Sequence, residues 1–260
     1  MNEKITESRF KIKAKNIIAI ASGKGGVGKS TFAVNFAVTL KNLGYSIGIL
    51  DADIYGPSVP RMMGISDKPV TNDNNKLVPL INYGVKCMSI GFLIEESTPA
   101  IWRGPMVMKA LEQMFNGVEW GELDYLIIDL PPGTGDAQLT LAQSSKLSGS
   151  IIISTPQDIA LLDAIKGINM FNKVNVPVLG IVENMSYFIC NNCKQKHEIF
   201  SNGGAKKESE KFNIPFLGEI PIDIDLRIKS DEGKPFCISE IKNDISEIYI
   251  SIAKKIANKT

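Results

Sequence analysis

The chain has 260 residues, an apolar fraction of 44% and a formal net charge of +1 at pH 7. This composition is typical of a globular protein, and a chain of this length can fold as one large domain. The balanced charge excludes a broad electrostatic attraction for nucleic acid or for an anionic membrane. We therefore expect no nucleic-acid partner. We also expect no membrane span, because no apolar stretch approaches the required length.

The N-terminal segment, 1–15, is charged and lacks the apolar core of a secretory signal. We predict that 1–15 is flexible and that 16–260 forms a single domain. The four cysteines do not resemble a disulfide framework. The cytoplasm is therefore the expected location.

Short apolar runs alternate with helical patterns along the chain, which predicts an α/β fold with a mostly parallel sheet and helices on both faces. Strands are predicted at 16–21, 46–51, 85–90, 125–129, 150–154, 178–183 and 216–220. Helices are predicted at 29–43, 105–116, 137–147, 158–173, 204–212 and 239–257. Residues 56–83 are rich in Pro, Gly, Asn and Asp, and they predict a long irregular excursion. The first predicted helix presents an apolar stripe at three- and four-residue spacing, Phe32, Phe36, Leu40 and Leu43, before a stop at Gly44.

A complete phosphate-binding loop lies between the first predicted strand and the first predicted helix. Its glycines let backbone N–H groups face an anion, and the following helix adds its positive N-terminal end. Lys29 is expected to reach the outer phosphates of a nucleotide, and the Ser30 hydroxyl to bind Mg²⁺. The candidate nucleotide-binding residues of this loop are Gly23, Lys24, Gly25, Gly26, Val27, Gly28, Lys29, Ser30 and Thr31.

Lys24 is an additional cation at the start of the loop, where a phosphate loop requires none. A solvated surface lysine is one interpretation. The pattern Lys-Gly-Gly-Val-Gly-Lys instead resembles the deviant Walker A group of ATPases, within the SIMIBI class of P-loop NTPases. In that group the first lysine crosses a dimer interface to the partner's nucleotide. The resemblance implies a homodimer that closes around ATP, with transition-state charge stabilised as by an arginine finger.

Carboxylates follow two predicted strands. Asp129 ends an apolar run in the manner of a Walker B strand, and it is a candidate for the Mg²⁺ shell, with a turn cap as the alternative. Asp51 is a second candidate for the Mg²⁺ shell, and Asp53 is a candidate for orienting the attacking water. The alternative for this pair is a polar loop. After a strand of a phosphate-loop protein we favour the functional interpretation.

Base recognition is predicted less specifically. Asn184 ends a strand and resembles the adenine-reading position of this ATPase group, since an amide both donates and accepts hydrogen bonds. Pro221 ends the next strand and is predicted to complete the base pocket. A turn asparagine and a rigid proline turn are the alternatives.

Cys190 and Cys193 form a Cys-x-x-Cys pair, a spacing that lets two thiolates converge on one metal or cluster. A cluster usually takes four ligands, and a two-fold axis near the pair would double two thiolates into four. A zinc knuckle that uses His197, a redox dithiol and two incidental surface cysteines are the alternatives. Cys87 and Cys237 are expected to be small buried hydrophobes.

Six stretches, in order, resemble the Mrp/ApbC family over about residues 16–236. They are 22–31, 51–58, 102–106, 129–136, 184–188 with the cysteine pair, and 218–223. The resemblance implies a single P-loop ATPase domain over 16–260. It also implies a homodimer that binds a cluster, 4Fe–4S in our interpretation, between paired Cys-x-x-Cys motifs. The implied partners are scaffold proteins and recipient apoproteins, and the implied cofactors are ATP, Mg²⁺ and the cluster. No role is assigned to Trp102 to Met106 or to Cys237.

Two other functions share the nucleotide chemistry. A partition or division-site ATPase would need a basic or membrane-inserting C-terminal helix, and that segment carries an isoleucine stripe beside two lysines. That function gives no reason for the cysteine pair. An iron-protein reductase is expected to carry a cysteine in the loop after Asp129, and 131–136 contains none. We predict a cluster carrier whose ATP hydrolysis is slow and regulatory.

Overall fold

The computed structural model of the protein describes residues 12–93, 104–238 and 243–260. Most of the predicted N-terminal segment, and Trp102 and Arg103 of the stretch with no assigned role, lie outside these ranges.

Nine strands and eight α-helices are found in the described ranges. The strands are β1 (Ala14–Ser22), β2 (Ile47–Asp51), β3 (Leu80–Asn82), β4 (Val85–Ser89), β5 (Leu123–Asp129), β6 (Gly149–Ser154), β7 (Val178–Ile189), β8 (Lys196–His197) and β9 (Phe216–Ile222). The helices are α1 (Lys29–Asn42), α2 (Val59–Met62), α3 (Gly104–Asn116), α4 (Asp136–Ser144), α5 (Asp158–Lys173), α6 (Gly204–Lys211), α7 (Ile224–Asp231) and α8 (Asp244–Ala257).

All nine strands belong to one sheet with the order β3-β4-β2-β5-β1-β6-β7-β8, and β9 also pairs with β7. Seven strands, β4-β2-β5-β1-β6-β7-β9, run parallel, whereas the short β3 and β8 are antiparallel to their neighbours. The predicted α/β fold is confirmed. Because the central strands are parallel, their carboxyl ends share one edge of the sheet, and this edge is where ligands bind in such folds.

The first helix, α1, packs its aromatic side chains into the core. Phe32 and Phe36 are buried and stack with ring centroids 5.4 Å apart, and Tyr249 of α8 stacks on Phe32 at 5.6 Å. The first helix was predicted to run to Leu43, one residue beyond its end in the structure. The helix ends at Asn42, and Leu43 is 36% exposed at its C-terminal cap before Gly44 takes a positive φ of 96°.

The C-terminal helix differs from its prediction at its start. Residues 239–242 lie outside the described ranges, and α8 begins at Asp244, since Asn243 and Ser246 form a reciprocal capping box. Its isoleucine stripe packs inward against α1 and β9, which leaves it no apolar face for a membrane. Within the stripe, Ile245, Ile252 and Ile256 are buried, and Ile248 is half-buried. In the described part of the chain, no helix is long and apolar enough to cross a membrane.

Several boundaries depend on tertiary contacts that periodicity does not reveal. β1 begins at Ala14, so residues 14 and 15 belong to the sheet and not to a flexible segment. β7 continues to Ile189, six residues past the predicted end, because β8 and β9 pair with its extension. The excursion at 56–83 contains α2 and β3, and both are too short to show a period. The structure also has α7, which the sequence did not predict.

Candidate functional site

The phosphate loop connects β1, in the middle of the sheet, to the N-terminus of α1. Gly26 and Gly28 both have φ of 82°, a left-handed conformation that costs glycine nothing and other residues about 1 kcal/mol or more. Gly28 is also the N-terminal cap of α1, and no side chain caps this helix. Its first N–H groups, with the positive end of the helix, therefore face the loop and suit an anion.

A cavity of about 250 Å³ opens at this loop. It brings together most of the predicted nucleotide-binding residues with Asp53 and part of the segment after β2. Its lining residues are Ser22, Lys24, Gly25, Gly26, Gly28, Lys29, Ser30, Thr31, Asp53, Gly56, Ser58, Met62 and Pro132. Gly23 and Val27 are not among the lining residues, and Val27 is 2% exposed.

Lys29 is the central cation of the cavity. Its ammonium is 2.7 Å from Oδ1 of Asp129 and 3.4 Å from Oδ2 of Asp53, and its side chain is only 6% exposed. It also lies 3.4 Å from the Ser30 hydroxyl. A buried ammonium needs counter-charge, and here two carboxylates supply it. A phosphate chain in the cavity would compete with both carboxylates for the same ammonium.

Asp129 has the geometry expected of an ion-binding carboxylate. It is fully buried, and Oδ2 has no hydrogen-bond partner among the described residues. Burial raises the pKa of Asp129, and the charge of Lys29 opposes that rise. An unpartnered buried carboxylate oxygen is costly, and a Mg²⁺ ion or one of its water ligands would satisfy it. Asp129 and the adjacent Ser30 hydroxyl therefore fit a Mg²⁺ site.

Asp51 has a different role in the structure. Its Oδ1 accepts the N–H of Asp53 at 3.1 Å, and its Oδ2 accepts the N–H of Val59 at 3.1 Å and the Ser89 hydroxyl at 3.0 Å. Burial, with the nearby charge of Asp129, raises the pKa of Asp51 to about 7. Both oxygens hold the segment after β2, so Asp51 is less available to an ion than Asp129.

Asp53 faces the cavity, as its predicted role requires. One of its oxygens pairs with Lys29, and the other accepts the N–H of Tyr55 at 3.2 Å. The Tyr55 ring is 73% exposed beside it. This arrangement places a carboxylate in the lining of the cavity, in contact with the Lys29 ammonium.

Asn184 contacts the phosphate loop directly. Its Nδ2 donates to the carbonyl of Val27 at 2.8 Å, and a Cβ on Gly28 would lie only 2.2 Å from the same Nδ2. Asn184 is thus adjacent to the loop. Pro221, the other predicted base-pocket residue, is buried in β9 and lines a separate cavity of about 300 Å³ with Tyr187. The structure does not bring Pro221 to the phosphate-loop cavity.

The cysteine pair occupies the turn between β7 and β8. The turn is closed by the N–H of Cys190 donating to Gln195 at 3.0 Å and by the N–H of Lys194 donating to Cys190 at 2.8 Å. Cys190 is half-buried and Cys193 is exposed. Hydrogen bonds from the backbone N–H of Cys193 and then of Asn192 lower the pKa of the Cys190 thiol. Backbone donors that stabilise a thiolate suit a metal-binding turn.

The remaining candidate ligands are two buried thiols and one exposed histidine. Cys87 is fully buried, and burial raises the pKa of Cys237 to about 11, so the expectation of two buried thiols is confirmed. His197 is exposed on β8. Among the described residues, no group of three or more His, Cys, Asp or Glu side chains is arranged to hold a metal ion.

Three residues near the site carried no clear signal in the sequence. Ser89 hydrogen-bonds Asp51 from the end of β4. The backbone of Asp163, on α5, packs directly against Gly23. A Cβ on Gly23 would lie only 2.2 Å from the carbonyl carbon of Asp163. Glu183 is a fully buried acid next to Asn184. Its position within an apolar strand is the one signal that the sequence offered.

A family model described as a ParA-type NUBPL iron-transfer P-loop NTPase matches residues 13–257. The chain belongs to this NUBPL family. The match covers nearly the whole sequence, including the phosphate loop and the cysteine turn. The predicted resemblance to iron–sulfur P-loop ATPases, and the P-loop NTPase fold, are therefore confirmed.

Two relatives with iron–sulfur names are similar to this chain over most of its length. The iron-sulfur protein required for NADH dehydrogenase of Arabidopsis thaliana is 54% identical over 93% of this chain and 78% of its own length. The iron-sulfur cluster carrier protein of Aquifex aeolicus is 51% identical over 94% of this chain and 67% of its own length.

Solved structures show the same fold. The nucleotide-binding protein of Archaeoglobus fulgidus in complex with ADP has a TM-score of 0.79 and 42% identity, over 91% of this chain and 93% of that chain. The cell division ATPase MinD of Pyrococcus furiosus has a TM-score of 0.70 over 95% of this chain and 100% of that chain. At 21% identity, MinD shows the fold alone.

Proposed function

We propose that this protein is an ATP-dependent iron–sulfur cluster carrier. One chain supplies Cys190 and Cys193, a second copy supplies the same pair, and a cluster of the 4Fe–4S type is held between them. ATP binds at the phosphate loop and is hydrolysed slowly, as a switch. The cluster is the cargo, delivered from scaffold proteins to recipient apoproteins.

The observation that carries this proposal is the cysteine turn. Cys190 and Cys193 lie at the tip of a hairpin that leaves the same edge of the sheet as the phosphate loop. Cys190 has backbone N–H donors for its thiolate, and Cys193 is exposed. Two accessible thiolates are half of the set that a cluster takes, and a two-fold axis completes it. The names of the relatives, iron-sulfur cluster carrier and transfer proteins, agree with this chemistry.

The nucleotide part of the proposal depends on the buried charges. Lys29 would exchange its carboxylate partners for the β- and γ-phosphates, and Asp129 with Ser30 would hold Mg²⁺, which neutralises phosphate charge when bound. Asp53 would orient the water that attacks the γ-phosphate and releases ADP and phosphate. Lys24 lines the cavity and has no ion pair among the described residues, and we assign it to the nucleotide of a second copy because of the deviant Walker A pattern.

Anaerobic reconstitution with iron and sulfide tests the carrier proposal. We expect the wild-type protein to gain iron, acid-labile sulfide and visible absorbance, and the Cys190→Ala, Cys193→Ala variant to gain none. The matched control is Cys87→Ala, Cys237→Ala, which removes the same number of thiols from buried positions. The proposal is wrong if the first variant gains the same cluster as the wild type.

A partition or division-site ATPase remains the alternative function. It shares the fold and the phosphate loop, but no described feature favours it. The isoleucine stripe of α8 is packed against the core, and such a protein has no use for the cysteine turn. Failure of cluster binding together with intact ATP hydrolysis would favour this alternative.

A further inference from the structure

A buried carboxylate closes the base of the segment that carries the cysteines. We call residues 186–203 the cysteine hairpin. Oε1 of Glu183 accepts the Ser186 hydroxyl at 2.7 Å, where the hairpin begins, and the N–H of Gly203 at 3.1 Å, where it ends. Oε2 accepts the N–H of Ala205 in the first turn of α6 at 2.8 Å. One side chain therefore fixes both ends of the hairpin.

The environment of Glu183 indicates that its hydrogen bonds are a structural feature of the buried core. Glu183 and Ser186 are fully buried. A buried carboxylate is costly unless its oxygens are satisfied, and here two backbone N–H groups, one hydroxyl and the N-terminus of α6 satisfy them. No lysine or arginine is paired with Glu183 among the described residues. Its hydrogen bonds all lead to the hairpin and to α6.

The next residue connects the same backbone to the nucleotide site. Asn184 donates to the carbonyl of Val27 in the phosphate loop at 2.8 Å. Met185 then takes a left-handed conformation, with φ of 55°, and the pairing of β7 with β9 changes register between Asn184 and Phe188. Adjacent side chains on one strand thus hold the phosphate loop on one side and the cysteine hairpin on the other.

We infer that Glu183 is a positioning residue that holds the cysteine hairpin in a fixed place relative to the phosphate loop. The inference rests on the proposed carrier function and adds to it the physical connection between the two sites. A shift of the Val27 carbonyl on nucleotide binding would move Asn184, and Glu183 would pass that movement to both ends of the hairpin. Glu183 contacts neither nucleotide nor cluster, and it acts through the backbone.

Glu183→Gln tests the inference most directly. It keeps the shape of the side chain and removes one acceptor oxygen from a buried site with three donors. The matched control is Glu210→Gln, which removes the same charge from an exposed position on α6. Ser186→Ala is the milder variant, since it removes one donor and leaves the carboxylate in place. All three are compared as reconstituted full-length protein, with thermal unfolding and ATP affinity measured alongside.

The decisive measurement is the rate of cluster loss to an iron chelator, followed by visible absorbance with and without ATP. We expect Glu183→Gln to lose its cluster about tenfold faster than the wild type, as the loss of a buried charged hydrogen bond predicts, with ATP affinity changed less than about threefold. ATP should change this rate in the wild type and in Glu210→Gln, and it should leave the rate unchanged in Glu183→Gln. Ser186→Ala should lie between the two.

A second readout does not need the cluster. In the apo protein, the rate at which Cys190 and Cys193 react with a thiol reagent should rise in Glu183→Gln and not in Glu210→Gln. If Glu183→Gln is too unstable to purify, the same comparison with Ser186→Ala decides the matter. The inference is wrong if the Glu183 or Ser186 variants match Glu210→Gln in thiol reactivity and in cluster loss. A wild-type protein that takes up no cluster would instead overturn the proposed function.

Discussion

The phosphate loop and the cysteine hairpin lie at the same edge of the sheet but are built in opposite ways. Around the loop, charges are buried and paired inside one chain, with Lys29 held between Asp129 and Asp53. In the hairpin, residues 191–199 are all exposed, and the hairpin contains two thiols. In the proposed function, one chain therefore binds a nucleotide by itself, whereas its cysteines share a cluster with those of a second copy. The difference predicts that nucleotide binding and cluster binding can be separated by mutation.

The largest expected effect tests whether the nucleotide site is complete for turnover as well as for binding. Lys24→Ala should retain ATP binding and lose turnover by about a thousandfold, the lower end for an arginine finger supplied in trans. The measurement is phosphate release from the purified protein.

A mixing experiment sharpens this prediction. Lys24→Ala chains keep a nucleotide site, and Lys29→Ala chains keep the lysine that crosses to the partner. Equal mixtures should recover turnover that neither variant has alone. Normal hydrolysis by Lys24→Ala, or no recovery on mixing, would contradict the cross-subunit role of Lys24.

Lys29→Ala should weaken nucleotide binding without affecting cluster binding. ATP affinity should fall about a hundredfold, since charge-assisted hydrogen bonds to phosphate contribute up to about 3 kcal/mol. Cluster uptake by the cysteine hairpin should remain. Calorimetric titration with a non-hydrolysable ATP analogue, beside iron and sulfide content, checks both halves, and loss of cluster binding would show that the regions are not separable.

The contact between Asn184 and the phosphate loop predicts a smaller effect on stability. Gly26→Ala and Gly28→Ala introduce the same strain, because both glycines have φ of 82°. A Cβ at Gly26 meets nothing within 4 Å, whereas one at Gly28 meets Nδ2 of Asn184 at 2.2 Å. The free energy of unfolding should fall by about 1 kcal/mol for Gly26→Ala and by about 1–2 kcal/mol more for Gly28→Ala.

Denaturant unfolding of these two variants, and of each combined with Asn184→Ala, isolates the contact. Removing the Asn184 side chain should erase the extra cost at Gly28 and leave the cost at Gly26 unchanged. If Gly26→Ala and Gly28→Ala lower the free energy of unfolding equally in the wild-type background, Asn184 does not pack closely against Gly28.

The smallest effect concerns the chemistry of the hairpin. Backbone hydrogen bonds lower the pKa of the Cys190 thiol, and these donors survive in Cys193→Ala. Because the thiolate is the reactive form, alkylation of Cys190 in this variant should reach half its maximal rate at a lower pH than alkylation of glutathione. The pH dependence of iodoacetamide modification checks this, and a profile at or above that of glutathione would contradict it.

The sequence predicted the fold and most of the residues that line the phosphate-loop cavity, because both depend on local patterns. Apolar runs ending in Asp51 and Asp129, and a loop whose glycines must take positive φ, can be seen without tertiary contacts. The end of β7 could not be predicted in this way. Its last residues, up to Ile189, are a strand only because β8 and β9 pair with them.

The sequence also does not reveal which residues, far apart along the chain, form hydrogen bonds with each other. The buried partners of Asp51, namely Val59 and Ser89, lie 8 and 38 positions away in the sequence. Through these hydrogen bonds Asp51 holds the segment after β2. The sequence alone did not distinguish Asp51 from Asp129 as a candidate ion ligand. Glu183 is a similar case, since its hydrogen bonds to Gly203 and Ala205 span 20 and 22 positions.

Native mass spectrometry of the anaerobically reconstituted protein tests the central claim most directly. The account predicts that the mass of a cluster appears only on the dimer, as one cluster for two chains, and that it is absent from the dimer of Cys190→Ala, Cys193→Ala. A cluster of the same mass on a single wild-type chain would contradict the claim that each chain supplies half of the ligands.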